Sequence, residues 1–300
     1  MNPHRFGKVG IVGVGNMGGA MAARLMEAGW PVQVCDIDSS RTHALFQQGA
    51  QVRETPAQCA DGCAALIVCV VDAAQVENVL FGHAGAARVL GPGQDVLLCP
   101  TIAPQDAERF ASRLLALGVS TIDAPMSGGP ARARDGSMSL MLACDDTAFE
   151  RQRVLIGTLS SKAFRISARP GDGARIKLVN NLLAGINLVG AAEAIALAER
   201  LGLAPRQALS VIEQSSGQSW IGSDRMRRAI AGDFEPRAHM TLLEKDTRLA
   251  LQAAAAAGFQ GPLGAAAHAV FARACAEGMD SLDDGALLRL LRQPLQAPPG

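Results

Sequence analysis

Three closely spaced glycines near the start of the chain have the pattern of a phosphate-binding turn. Gly13, Gly15 and Gly18 form the GxGxxG motif GVGNMG, between an apolar β-branched run and a helical pattern. The first glycine permits a tight turn, the second lets backbone amides approach a pyrophosphate, and the third allows close packing of helix and strand. A helix amino terminus also favours negative charge. We therefore predict a dinucleotide-binding turn made of Gly13, Gly15, Asn16, Met17 and Gly18.

An acidic residue follows this motif at the end of the next apolar run. Asp36 lies 18 residues after Gly18. A carboxylate at this place accepts hydrogen bonds from the adenosine ribose hydroxyls and repels a 2′-phosphate. The pattern therefore favours NAD over NADP as the cofactor. Two alternatives stay open: Asp36 as an ordinary turn residue, and Arg41 as a ligand of a 2′-phosphate.

A second glycine-rich turn follows the sequence Asp-Ala-Pro-Met that begins at Asp123. It consists of Ser127, Gly128 and Gly129. Two consecutive glycines expose backbone N–H groups, and such a turn with a hydroxyl can bind a carboxylate. A tight loop without a ligand is the alternative.

Lysine is rare in this chain, with four lysines (Lys8, Lys162, Lys177, Lys245) among 28 Lys and Arg residues. Lys177 begins a long apolar helical pattern, and Asn181 shares its face at i+4. Burial lowers the pKa of a lysine from about 10.4 toward neutrality, which suits a general acid/base. A lysine that extends to solvent at a domain junction is the alternative. Lys245 and Asp246, taken alone, are typical of solvated helix charges.

The pattern of elements predicts where these residues stand. Short apolar runs alternate with helical patterns up to residue 167, as in a βαβ series, and the rest of the chain is helical and Ala-rich. We predict an α/β Rossmann domain with a mostly parallel sheet (residues 1–167), joined by a long buried interdomain helix to an all-α C-terminal domain (residues 168–300). The tail from residue 293 is expected to be disordered.

Composition excludes several functions. Lys+Arg 28 balance Asp+Glu 28, so no charge field favours nucleic acid or an anionic membrane. No uninterrupted apolar run reaches the roughly 20 residues that a bilayer requires, and no apolar leader precedes residue 10, so we expect a cytoplasmic protein. The 7 cysteines lack metal-ligand spacing, so we expect no metal site. With Tyr 0, catalysis by a tyrosine phenol is impossible.

Together these motifs resemble the β-hydroxyacid dehydrogenase family, which includes 3-hydroxyisobutyrate dehydrogenases, tartronate semialdehyde reductases and L-threonate dehydrogenases. GVGNMG, CPTIAPQ, DAPMSGG, GDGARIKLVNN and EKD have the family's order and spacing, from Val9 to about Leu290. The segment SSGQSW at 215–220 is more similar to the threonate branch. The resemblance implies a homodimer or homotetramer that oxidises a small β-hydroxyacid (3-hydroxyisobutyrate, L-threonate, glycerate or similar).

The resemblance also implies a role for each matching residue. It makes Lys177 the catalytic acid/base and Asn181 the residue that orients the substrate. It makes Ser127, Gly128 and Gly129 the loop that binds the substrate carboxylate. It places Thr101 beside the nicotinamide ribose and Lys245 at the rim of the cofactor and active site.

Two other functions compete with this one: a non-catalytic dinucleotide-binding sensor or scaffold, and an imine reductase on the same architecture. Lys177 discriminates between them, because a chain without catalysis has no physical reason to bury a lysine that faces an asparagine. An imine reductase is expected to lack that lysine.

Overall fold

The computed structural model describes residues 6–293, so most of the predicted disordered tail lies outside the described residues. The chain divides into two compact units: an amino-terminal unit that ends at Lys177 and a carboxyl-terminal unit that begins at Leu178. The division falls inside one continuous helix. The domain boundary at residues 167 and 168 stays a prediction.

The amino-terminal unit is built on one sheet. Within residues 6–293 the sheet has nine strands: β1 Val9–Val12, β2 Val32–Cys35, β3 Gln51–Val52, β4 Ala65–Val68, β5 Asp95–Leu98, β6 Ser120–Asp123, β7 Met126–Ser127, β8 Ser139–Ala143 and β9 Lys162–Ser167. Their order is β3-β2-β1-β4-β5-β6-β8-β7, and β9 also pairs with β8. The first six strands are mutually parallel, and β8 runs antiparallel to β6 and β7. The predicted mostly parallel sheet is confirmed.

Helices connect these strands: α1 Asn16–Glu27, α2 Ser39–Phe46, α3 Pro56–Ala60, α4 Ala73–Phe81, a 3₁₀ turn Ala86–Arg88, α5 Pro104–Leu115, α6 Gly129–Asp135 and α7 Asp146–Leu159. Every residue of β1, β2, β4 and β5 is buried, as expected for strands covered on both faces. Because the first six strands are parallel, they all end at one edge of the sheet, where α1 begins.

The carboxyl-terminal unit is helical, as predicted. Helix α8, Asp172–Arg200, enters it from the amino-terminal unit and is followed by α9 Pro205–Glu213, α10 Trp220–Ile230, α11 Met240–Ala256, α12 Pro262–Ala276, a 3₁₀ turn Asp284–Ala286 and α13 Leu287–Arg292. Its core is formed by apolar side chains of these helices, among them Leu188, Met226, Met240 and Phe271.

The prediction that α8 is buried is wrong for one of its faces. Val179, Leu183 and Leu197 are 64%, 58% and 56% exposed, and Leu201, just after the helix, is 68% exposed. Their spacing places them on one side of the helix. Within the described residues α8 is also the one helix long and apolar enough to cross a membrane, a property that core helices of soluble proteins share.

Candidate active site

The glycine turn between β1 and α1 has no room for side chains at two of its positions. Gly13 has φ +89, and a Cβ there would lie 2.4 Å from the Cys69 carbonyl oxygen. A Cβ on Gly18 would lie 1.9 Å from the carbonyl oxygen of Gly13. Helix α1 begins at Asn16, its N-cap Gly15 has no side chain, and its first turn contains no acidic residue. The turn therefore fits the pyrophosphate of a dinucleotide, which needs close backbone approach at a positive helix terminus.

Asp36 fixes this turn from the neighbouring strand. Its Oδ2 accepts a hydrogen bond of 2.7 Å from the Val14 amide, and its Oδ1 accepts one of 2.9 Å from the Asp38 amide. Arg41, the alternative ligand of a 2′-phosphate, also lies close to the glycine turn. Its Nη1 is 3.0 Å from the position that a Cβ on Gly15 would take. Arg41 pairs with Asp38 at 3.1 Å. The turn therefore has an acidic and a basic neighbour.

The second glycine turn leaves the same edge of the sheet. Met126 and Ser127 pair with β8, and the chain then turns through Gly128 at φ +129 and Gly129 at φ +76. Both values lie in the region that favours glycine. A Cβ on Gly129 would have no atom within 4 Å, so this residue borders open space. Thr101 lies just beyond the end of β5, the neighbour of β6.

The structure brings Lys177 to this second turn. The Lys177 side chain is buried, at 7% exposure, and its Nζ donates a hydrogen bond of 2.6 Å to the carbonyl oxygen of Met126. Met126 directly precedes Ser127, so the predicted acid/base lies beside the predicted carboxylate-binding loop. The alternative of a lysine that extends to solvent does not fit this burial.

A buried carboxylate at the end of β6 holds the beginning of α8. Asp123 Oδ2 accepts hydrogen bonds of 2.8 Å from the Gly171 amide and 3.0 Å from the Ala174 amide. Burial raises the pKa of Asp123 to about 6, against the lowering effect of these backbone N–H donors. The sequence motifs did not indicate a role for Asp123 in the site.

In the carboxyl-terminal unit, Asn181 is held by another carboxylate. Asn181 and Asp246 are 7% and 6% exposed, and Asn181 Nδ2 donates to Asp246 Oδ2 at 2.6 Å. Lys245 Nζ lies 3.0 Å from Asp246 Oδ1. Lys245 and Asp246 are therefore a largely buried pair, and their interpretation as solvated charges is wrong. The EKD sequence was the available signal for Asp246, but its contact with Asn181 spans 65 residues.

Within residues 6–293, no group of three or more His, Cys, Asp or Glu side chains is placed to hold a metal ion. The polar groups of the candidate site are backbone amides at glycine turns, a hydroxyl, an amide side chain and a buried amine. These suit an anion, a polar substrate and a proton transfer.

Two family models cover most of the chain. The NAD binding domain of 6-phosphogluconate dehydrogenase matches residues 8–167. The model described as the NAD-binding part of NADP-dependent 3-hydroxyisobutyrate dehydrogenase matches residues 171–291. L-Threonate dehydrogenase of Escherichia coli K12 is 37% identical over 283 residues, which cover 94% of each chain.

The chain belongs to the β-hydroxyacid dehydrogenase family. Among solved structures, a 3-hydroxyisobutyrate dehydrogenase from Salmonella typhimurium is 35% identical with a TM-score of 0.90, covering 95% of this chain and 100% of its own. As a β-hydroxyacid dehydrogenase, the protein is an oxidoreductase that acts on a CH–OH group with a nicotinamide dinucleotide.

Imine reductases share only the fold with this β-hydroxyacid dehydrogenase. The enzyme from Streptomyces aurantiacus is 22% identical with a TM-score of 0.66, covering 95% of this chain and 100% of its own. A similar fold at this low sequence identity does not indicate a shared reaction, because one fold supports many reactions.

Proposed function

We propose that this β-hydroxyacid dehydrogenase oxidises a small hydroxyacid such as 3-hydroxyisobutyrate, L-threonate or glycerate, with Lys177 as the general acid/base. One observation carries the proposal: the buried Lys177 amine bonds to Met126, directly before the Ser127 loop. The proposed proton-transferring group and the proposed anion-binding turn thus lie side by side, as a β-hydroxyacid requires because it carries a hydroxyl near a carboxylate.

The proposed mechanism assigns one task to each group. The Ser127 hydroxyl and the amides of Gly128 and Gly129 bind the substrate carboxylate, and Asn181 orients the hydroxyl-bearing carbon. The neutral amine of Lys177 takes the hydroxyl proton as the C–H hydride leaves that carbon, so the alcohol becomes a carbonyl. When bound, the nicotinamide ring supplies the hydride acceptor. In this assignment Thr101 and Lys245 would help to hold the cofactor.

After the proton transfer, the lysine is an ammonium ion inside the protein. The Met126 carbonyl oxygen, 2.6 Å away, is an acceptor for this charged form. A hydrogen bond to the charged form stabilises it, which offsets part of the cost of burial. The same bond holds the amine close to the Ser127 loop. The Lys177 side chain therefore keeps one position while the substrate binds and while the proton is transferred.

We infer that NAD is the preferred cofactor, supported by the carboxylate of Asp36 beside the glycine turn. NADP is the alternative that Arg41 favours. The ion pair of Arg41 with Asp38 weakens that alternative, because the guanidinium charge is already partly balanced.

We further propose that the enzyme works in the cytoplasm as a homodimer or homotetramer. The support for an oligomer is the apolar stripe of Val179, Leu183, Leu197 and Leu201, all more than half exposed in the single chain. An exposed apolar patch of this kind typically marks a protein–protein contact.

A substrate panel tests the proposed function. The purified enzyme is mixed with NAD and each of several β-hydroxyacids, and formation of NADH is followed by absorbance. We expect turnover of at least one of 3-hydroxyisobutyrate, L-threonate and glycerate. Binding of NAD without turnover of any β-hydroxyacid would support the sensor or scaffold alternative instead, and reduction of a cyclic imine alone would support an imine reductase.

A further inference from the structure

The chain from Asp123 to Ser127 contacts the beginning of α8 at two points. At the first, the Asp123 carboxylate accepts hydrogen bonds from the amides of Gly171 and Ala174. At the second, the Met126 carbonyl oxygen accepts a hydrogen bond from Lys177 Nζ. Both contacts lie within the amino-terminal unit. Lys177 follows Ala174 by three residues, less than one helical turn.

The packing at the first point leaves little freedom. Asp123 is 2% exposed, and a Cβ added to Gly173 would lie 2.9 Å from its carboxylate carbon. Only a glycine at position 173 allows this approach without displacing the helix. The amides at a helix start have no partner inside the helix, and the positive end of the helix favours an anion. The carboxylate therefore fixes both the position and the direction of the first turn of α8.

Burying a carboxylate costs free energy unless hydrogen bonds or opposite charges compensate it. We therefore expect the buried Asp123 carboxylate to have a specific role. Many helices in this unit begin with a nearby capping residue, such as Asp145 at the start of α7. Helix α8 instead takes its acceptor from a strand 48 residues earlier in the chain. The same strand leads directly into the loop proposed to bind the substrate.

We propose that Asp123 is a positioning residue of the reaction: by fixing the first turn of α8 to the end of β6, it sets the distance between the Lys177 amine and the Ser127 loop. The inference rests on the proposed function, in which Lys177 exchanges a proton with a substrate held by that loop. Asp123 itself touches neither substrate nor cofactor in this account.

The first test compares two helix caps of the same unit. Asp123→Ala removes the acceptor of α8, and Asp145→Ala removes that of α7, where Oδ1 accepts from the Ala148 amide at 2.8 Å. Asp123→Ala is expected to lower kcat on the order of 10²-fold, since a misplacement of about 1 Å has this effect, while the Kd for NAD stays within about twofold. Asp145→Ala should keep the wild-type kcat. Asp123→Asn, which retains an acceptor oxygen, should keep most of the wild-type kcat.

The decisive test is a double-mutant cycle with Lys177→Ala. If Asp123 acts through Lys177, Asp123→Ala should cause no further loss of kcat in the Lys177→Ala background. A merely structural role would cause the same fold-loss in both backgrounds.

Gly173→Ala gives an independent test should Asp123→Ala fail to fold. It displaces the start of α8 and leaves the carboxylate in place, so it should also lower kcat, again only when Lys177 is present. Gly190→Ala in the same helix is its control, since a Cβ there has no atom within 4 Å.

Different results would overturn the positioning role of Asp123 and the proposed function. The role of Asp123 is overturned if Asp123→Ala or Gly173→Ala keeps the kcat of its control, or if its loss is the same with and without Lys177. The proposed function is overturned if Lys177→Ala itself retains wild-type turnover.

Discussion

At the scale of residues, the site depends on a few polar side chains whose burial is compensated by specific partners. Lys177 bonds to a backbone carbonyl, and Asn181 bonds to the carboxylate of Asp246. A buried amide or amine without such a partner is destabilising, so each contact supports the fold as well as the chemistry. The Asp246 bond also holds the Asn181 amide in one orientation.

Cofactor choice is a prediction at this scale. Titration with both cofactors should show a higher kcat/KM with NAD than with NADP, because the Asp36 carboxylate repels a 2′-phosphate. Asp36→Asn should lower the ratio of kcat/KM with NAD to kcat/KM with NADP by on the order of tenfold, about the effect of one lost charge contact. Arg41→Ala is the control, since it should leave NAD use nearly unchanged. A wild-type preference for NADP would contradict the assignment and implicate Arg41.

Single residues could be predicted from sequence where their type was unusual for their place. Lys177 is one of four lysines and lies in an apolar helix, and the glycines of GVGNMG lie between a strand and a helix. Asp123 and Asp246 were not predicted as supports, because their partners are 48 and 65 residues away. Such contacts depend on how the elements pack, which spacing along the chain does not reveal.

At the scale of elements, the loop at Ser127 can be tested apart from the cofactor turn. Gly129→Val places a branched side chain in open space beside Ser127, where the substrate carboxylate is proposed to bind. The KM for the substrate should rise by on the order of 10-fold or more, while the Kd for NAD stays near wild type.

Backbone strain alone must be separated from this effect. Gly93→Val is the matched control, since Gly93 has φ +85 with no atom within 4 Å of its Cβ position and lies in a turn before β5. Both variants lose stability by about 1–2 kcal/mol from the left-handed backbone. Equal loss of substrate and cofactor binding in Gly129→Val would show that the loop is structural.

The elements themselves were predictable where burial was complete. Strands such as β4, with all four residues buried, are continuous short apolar runs, which are visible directly in the sequence. The two-residue strands β3 and β7 were missed because so short a segment has no period. Helix α8 was predicted, but a helix that is apolar nearly all round does not indicate which face stays exposed.

At the scale of the whole molecule, the apolar stripe on α8 predicts self-association. Light scattering after size exclusion should show a dimer or tetramer, and Leu183→Glu should shift it toward the monomer, because a charge would be buried in the contact. Leu115→Glu, at a leucine of α5 that is 70% exposed, is the control and should leave the mass unchanged. A monomeric wild-type enzyme would refute the oligomer.

The most direct test of the account is the turnover of Lys177→Ala on the best substrate of the panel. We expect kcat to fall by on the order of 10² to 10⁴, the usual contribution of a positioned acid/base, with little change in the Kd for NAD. Lys177→Arg should fail almost as badly, since a guanidinium does not release its proton near neutral pH. A Lys177→Ala enzyme with near wild-type turnover would contradict the assignment of Lys177 and the mechanism built on it.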